Sequence, residues 1–373
     1  GSTSANRKPG PPMLRADLIV IGAGPAGMAA ARQAAEDGLS VLVLDEQPRA
    51  GGQIYRDVER ATALRRDILG KDYTEGLPLV QGLAHERITH LTGATVWAIE
   101  EGNRVALTRN GCGVLAEGQR ILLATGALER PMPLPGWTLP GVMTAGAGQI
   151  LLKQSGVVAT AAVLVGTGPL LYLIAAQMLR AGTPPLALVE TQTKGDLAAA
   201  LRHLPGALRG WRYLWKGLGM IAALRRAGVR RFQGATAIAI EGTDRAEAVS
   251  FHAAGKRHRL ACQTVLLHHG VVPNTQAARS IGLPHHWDAQ QRCFSPECDT
   301  WGRTPLASIF IAGDSAGIGG AKAAVLTGQL AALEIANDLG RLVSGDRDLR
   351  ARALRYRLSS ELVARPFIDR AYP

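Results

Sequence analysis

Over residues 16–46 the chain alternates in blocks: an unbroken apolar run at 18–21, a Gly-rich interval, an Ala-rich stretch ending near Glu36, and a second apolar run at 41–44. Short apolar runs bounded by turn residues predict strands covered on both faces. The Ala-rich spacer predicts the crossover helix of a βαβ unit. The same order of blocks returns over 161–190 and ends on Glu190. A third segment, 304–314, gives a turn, an apolar strand and a terminal Gly-Asp, and leads into a Gly-led, Ala-rich helix. This duplication predicts an α/β protein with two Rossmann-like dinucleotide-binding domains, and 373 residues accommodate both.

The turns carry chemistry. Gly22, Gly24 and Gly27, with Pro25 and Ala26 between them, have the spacing of a dinucleotide fingerprint. The first Gly allows a tight turn, the second lets a pyrophosphate approach the backbone, and the third lets helix pack on strand. The helix N-terminus supplies N–H groups and positive potential for phosphates. Asp45 and Glu46 close the second strand and place a carboxylate for a ribose hydroxyl. In the second unit Gly166 and Gly168 keep the first two positions, while Leu171 replaces the third Gly and is expected to crowd the turn. Glu190 would favour NAD over NADP if that site works. A retained, purely structural module is the other reading.

Composition narrows the chemistry. Forty-four Gly residues against few aromatics suit a protein of backbone turns and nucleotide loops. The net charge of +12 is spread along the chain, so no nucleic-acid partner is expected. Cys112, Cys262, Cys293 and Cys298 form no C-x-x-C motif, which predicts neither a disulfide framework nor a redox thiol pair and makes the cytoplasm the expected compartment. His268-His269 and His285-His286 are adjacent pairs whose side chains point to opposite faces of a strand, so no metal site is expected. No apolar run reaches the length of a membrane span, and no integral insertion is expected. Residues 1–12 read as a cloning scar and a flexible arm. Over 207–231, Leu208, Trp211, Leu214, Trp215, Leu218, Ile221 and Leu224 fall on one helical face, which packs on its own domain, docks a partner subunit or, as the third reading, meets a membrane surface or nucleic acid.

At Gly313-Asp314 the sequence resembles the two-dinucleotide-domain flavoproteins of the disulfide-reductase superfamily. The resemblance implies that Asp314 holds the ribityl chain of FAD, that Gly52-Gln53 runs beside the flavin with Val96 nearby, and that Thr125-Gly126 starts the crossover to the second domain. Gly270-Val271-Val272-Pro273-Asn274 resembles the return. The implied domains are 13–127 with 273–373 for FAD, and an inserted NAD-binding-like domain at 128–272.

The segments LDEQPRAGGQIYR, LLATGALERPMPLPGWTLPGVMTAGAGQ, LVGTGPLLYLIAAQMLRAG, HHGVVPNTQ and RPFIDRAYP carry a narrower resemblance, from Asp17 onward. They resemble the FAD-binding alpha subunit of heteromeric amino-acid and opine dehydrogenases: opine oxidases, hydrogen cyanide synthase, D-hydroxyproline and proline dehydrogenases, and part of sarcosine oxidase. In that family Leu at position 171 is typical. The resemblance implies an electron-transferring FAD subunit. A flavin-bearing beta subunit oxidises the amine, in some cases a small iron–sulfur subunit joins, and FMN or a [2Fe–2S] cluster lies at or on the partners. Many such alpha subunits continue past Arg-Pro-Phe into a Cys-rich [2Fe–2S] domain, whereas this sequence stops at Pro373, through truncation or because the cluster is on another polypeptide. The competing expectation is a self-sufficient NADH-dependent reductase of a ferredoxin-like acceptor, with NAD or another nucleotide in the second domain. No catalytic residue is assigned. Arg56 and Lys322 are the cations expected near the flavin, as phosphate or solvent groups.

Overall fold

A computed structural model of the chain describes residues 13–372; the expected arm at 1–12 lies outside the described residues. The first sheet grows from β1 (Met13–Ile21), which pairs in parallel with β2 (Val41–Asp45) on one side and β6 (Cys112–Leu123) on the other. β3 (Ile88–Thr92) extends it beyond β2, and β4 (Ala94–Glu100) and β5 (Arg104–Arg109) form an antiparallel meander on β6. Its last strand, β7 (Ile309–Ile311), pairs with β6 from far along the chain. The apolar runs read from the sequence are the central strands, and Leu18, Ile19, Val20, Leu122 and Phe310 have no exposed surface.

Helix α1 (Pro25–Glu36) crosses the later helix Ala321–Asp338 over this sheet. The crossing is close enough to exclude a side chain at Gly328, where a Cβ would lie 2.2 Å from the Ala26 carbonyl oxygen; within the Gly-rich turn, a Cβ on Gly27 would lie 1.9 Å from the Gly22 carbonyl oxygen.

The second sheet is wholly parallel, in the order Arg230–Phe232, Ala187–Glu190, Ala162–Thr167, Thr264–His269, Val142–Thr144. Helix α2 (Ala145–Ser155), started by a Thr144 side-chain cap, and α3 (Pro169–Arg180) pack against one face of it. A three-stranded antiparallel sheet, Thr236–Glu241, Ala248–Ala253 and Lys256–Ala261, covers the other. The two modules are joined through a ribbon, Ala127–Glu129 against Val271–Pro273, with Leu128 opposite Val272. Asn274 N–H donates to the Gly126 carbonyl at 2.9 Å, and the Thr125 hydroxyl to the Asn274 carbonyl at 3.0 Å, so the two expected crossover turns lock to each other.

The apolar face at 207–231 is largely left uncovered by its own domain. Helix α4 (Trp211–Arg226) starts after a break at Gly210, and only Leu224 is fully buried. Trp215 is 67% exposed, and an uncovered series runs Leu197, Leu201, Leu204, Leu208, Trp211, Trp215, Leu218 at alternating spacings of four and three.

Candidate functional site

A cavity of about 1940 Å3 opens between the two modules. That is roughly twice the upper end of the 300–1,000 Å3 common for small-ligand sites. Gly22, Gly24, Pro25 and Ala26 line it at the start of α1, with Asp45 and Glu46 from the end of β2, Gly52 and Gln53, Val96, Thr125 and Gly126, and Asp314. Segments far apart in sequence thus meet at one wall. Gly27 and Gly313 belong to the same turns and are buried in packing behind that wall.

The two carboxylates after β2 divide their work. Asp45 is 6% exposed; one oxygen accepts the Ala23 N–H at 2.7 Å and the other the Gln47 N–H at 2.7 Å. Burial pushes its carboxyl above the ordinary value, and the two N–H donors counter that rise. Asp45 therefore braces the Gly-rich turn, and Glu46 is the carboxylate left open to a ligand hydroxyl. Asp314 is oriented in a similar way: Oδ1 accepts the N–H groups of Gly319 and Gly320, both at 2.9 Å, at the start of the helix Ala321–Asp338, and Oδ2 makes no hydrogen bond within the described residues.

Arg56 is not a solvent group. It is 7% exposed, and its guanidinium donates to the Gly52 carbonyl at 3.1 Å, to the Gln53 side chain at 3.2 Å and to the Gln47 side chain. It fixes the Gly-Gly-Gln turn. Lys322 faces away from the cavity wall and pairs with Glu75 at 3.2 Å.

The second module differs at the corresponding carboxylate. Gly168 lines the cavity, while Gly166 sits behind it, where a Cβ would lie 1.7 Å from the His268 carbonyl oxygen. Glu190 has no exposed surface. Arg231 clamps it, with Nη2 at 2.9 and 3.0 Å from its two oxygens and Nε at 3.1 Å. Arg231 Nη2 also donates to the Tyr172 hydroxyl at 3.2 Å, which accepts from Gln192 at 2.9 Å, and Tyr372 packs edge-on to Tyr172 at 6.0 Å. The expected ribose contact of Glu190 is therefore corrected: its charge is spent on Arg231 beneath two tyrosines. Leu171 has no exposed surface and belongs to the core cluster of the second module with Ala145, Ala162, Leu164 and Ile174.

Between the modules, His268 Nδ1 lies 2.6 Å from Glu129, whose other oxygen accepts the Gly146 N–H at 2.9 Å. His269 also lines the cavity; burial and the nearby Arg130, His268 and Arg292 hold its pKa below the ordinary value. None of the four Cys residues lines the cavity.

One cation on the wall was missed by the sequence. Lys153 of α2 is 3% exposed and donates from Nζ to the Gln53 carbonyl and to Gln149 Oε1, both at 2.9 Å. A Lys in the last turn of a helix is ordinary on dipole grounds, so the sequence carries no signal that this one turns inward.

A doubled Rossmann-like architecture, with a carboxylate pair after the second strand, a Gly-Asp turn and a crossover ribbon around one cavity, defines a two-dinucleotide-domain flavoprotein. The sequence matches the pyridine nucleotide-disulphide oxidoreductase family over residues 16–328, and the chain belongs to that family as an FAD-dependent oxidoreductase. It is 46% identical over 337 residues to an opine oxidase subunit of Agrobacterium tumefaciens (strain Ach5), covering 88% of this chain and 66% of that protein. It is 44% identical over 360 residues to the corresponding opine oxidase subunit of Rhizobium meliloti (strain 1021), covering 95% and 78%. Among solved structures, L-proline dehydrogenase from P. horikoshii superposes with a TM-score of 0.67 at 17% identity, over 93% of this chain and 60% of that one; this likeness concerns the fold. Both relatives are named as subunits, which supports membership of a multi-subunit oxidase of the amino-acid and opine type. Among the described residues no helix is long and apolar enough to cross a membrane.

Proposed function

We propose that this chain is the FAD-holding, electron-transferring subunit of a heteromeric amino-acid or opine dehydrogenase, taking electrons from a partner whose own flavin oxidises the amine. The observation that carries this reading is the contrast between the two modules. The first offers an exposed carboxylate, Glu46, at the cavity one residue past the buried Asp45, whereas the second has Thr191 at that position and buries Glu190, the register counterpart of Asp45, under Arg231.

FAD, when bound, supplies the redox chemistry. The protein's part is to hold and shield it. The N-terminus of α1 and the backbone at Gly22 and Gly24 take the pyrophosphate, Glu46 takes a ribose hydroxyl, and Asp314 Oδ2 takes a ribityl hydroxyl, with Oδ1 already tied to Gly319 and Gly320. A free carboxylate oxygen and an uncovered Gly turn on one wall fit this cofactor. The isoalloxazine end lies by Gly52-Gln53 and Thr125-Gly126, which Arg56 and the Asn274 contacts stiffen.

A self-sufficient NADH-dependent reductase requires the second crevice to bind the nicotinamide donor. With Glu190 sealed, neither NADH nor NADPH gains a ribose contact there, and the discrimination against NADPH that an open Glu190 would impose is lost. Mixed anaerobically with FAD-loaded protein in a stopped-flow instrument, both nucleotides should bleach the flavin slowly or leave it oxidised. Millisecond bleaching by either would transfer the assignment to the reductase.

A further inference from the structure

The cavity holds a charge that the fold does not balance. Lys153 is enclosed on all sides by protein and cavity, and both acceptors of its ammonium are neutral: the Gln53 carbonyl and the Gln149 amide oxygen. That amide is held with its oxygen toward the lysine, because its nitrogen donates to Gln177 Oε1 at 2.8 Å and Gln177 in turn reaches the Leu69 carbonyl. Two acceptors leave one ammonium hydrogen without a partner. Among the described residues no carboxylate pairs with it. The charged or titratable groups around it are the Arg56 guanidinium, the Tyr73 ring at 6.0 Å, and Arg65, which donates to the lysine's own backbone carbonyl at 2.8 Å. Burial, reinforced by Arg56, holds the Lys153 pKa down to about 7.

An uncompensated cation in a low-dielectric wall favours whatever negative charge enters the space it faces. The pyrophosphate of a dinucleotide is already served by the α1 N-terminus. Lys153 comes instead from α2 and touches the Gln53 carbonyl, on the turn assigned to the flavin ring.

We propose that Lys153 is the group that stabilises negative charge on the bound isoalloxazine, and so sets how readily this flavin accepts electrons. This rests on the FAD reading above. A lysine that loses its proton near neutrality also makes the preference pH-dependent: the cation is present below about pH 7 and is lost above it.

The test uses FAD-loaded protein and sulfite, an anion that adds to oxidised flavin and leaves negative charge on the ring. FAD content is measured first; wild-type protein without FAD would remove the underlying reading, independently of Lys153. With FAD present, Lys153→Met should weaken sulfite binding at pH 6 at least tenfold, and Lys153→Arg should keep it. Between pH 6 and 8.5 the wild type should lose affinity relative to Lys153→Arg, whose charge does not titrate. Sulfite's own protonation is common to all the proteins and cancels in that ratio. Unchanged sulfite affinity in Lys153→Met, or parallel pH profiles for wild type and Lys153→Arg, would overturn the proposal. So would loss of FAD from a folded Lys153→Met, which would assign the charge to cofactor retention. If Lys153→Met does not fold, the wild-type and Lys153→Arg profiles decide alone.

Discussion

Gly24 and Asp314 make different demands on the same ligand. A Cβ at Gly24 has room in the protein itself, its nearest neighbour being the Gly52 Cα at 3.8 Å. Gly24→Val should therefore fold and purify colourless, because the added methyl groups fill the space a pyrophosphate needs. Asp314→Ala removes one charged hydrogen bond to the ligand, besides the two that Oδ1 accepts from Gly319 and Gly320, and should weaken FAD retention by at least about 1.5–3 kcal/mol, read as FAD loss on dialysis. A yellow Gly24→Val, or FMN as the extracted cofactor, counts against the site. Arg231 gives a stability prediction of another kind. Arg231→Met strands the Glu190 carboxylate with no exposed surface and should cost roughly 3–5 kcal/mol in denaturant unfolding. The double change Arg231→Met with Glu190→Gln should recover much of that, and an unaltered single variant would show the pair to be idle. Residues of this kind mark the limit of sequence reading. The Gly spacing announces a turn because backbone geometry is local, whereas the partner of Glu190 lies on another strand, and nothing near position 190 points to Arg231.

Among the elements, strands and crossover helices were legible because each is a short apolar block bounded by turns, and the meander and the helices between β2 and β6 were not, since their polar and apolar positions are mixed. The periodicity of 207–231 was legible too, but periodicity states which residues share a face and not what covers it. In the structure the exposed Leu and Trp series crosses the break at Gly210 and lies in a stretch, 197–240, without a single Asp or Glu. Such a face suits a contact with a partner that has an acidic rim. Trp215→Ser should shift the melting midpoint by no more than about 0.5 kcal/mol in equivalent stability, as for most exposed positions. Leu224→Ala, at a fully buried position further along the same helix, should cost about 2–5 kcal/mol. Equal losses in thermal melts of the two would mean that the tryptophan is covered by its own domain.

For the whole molecule, three of the four arginines lining the cavity are already engaged, which bears on catalysis because a guanidinium fork is the usual anchor for a carboxylate. Arg56 is consumed by the Gly-Gly-Gln turn, Arg231 by Glu190, and Arg365 by Asp369 at 2.5 Å. Amine oxidation needs a substrate carboxylate anchored with its α-carbon against the flavin. The isolated chain should accordingly fail to oxidise amino acids, opines or sarcosine with an artificial acceptor, while the assembled complex turns over. Turnover by the chain alone, scaling with its FAD and free of partner by mass spectrometry, would move amine oxidation into this cavity.

The pairing of β7 with β6 sets a timetable. Ile121 is made early, but its strand partner Ile309 and the Asp314 turn are made about 190 residues later, after the entire second module. At translation rates of 5–20 residues per second, the ribosome is occupied for roughly 10–40 s in between. During that wait the edge of β6 lies open while the second sheet, whose strands are closer in sequence, can complete itself. A nascent chain therefore emerges with its later-encoded module finished first. Any ligand that needs both the Gly-rich turn before α1 and the Asp314 turn is captured only once residue 314 has been made, so its scarcity would be felt by chains past that turn and not by earlier intermediates.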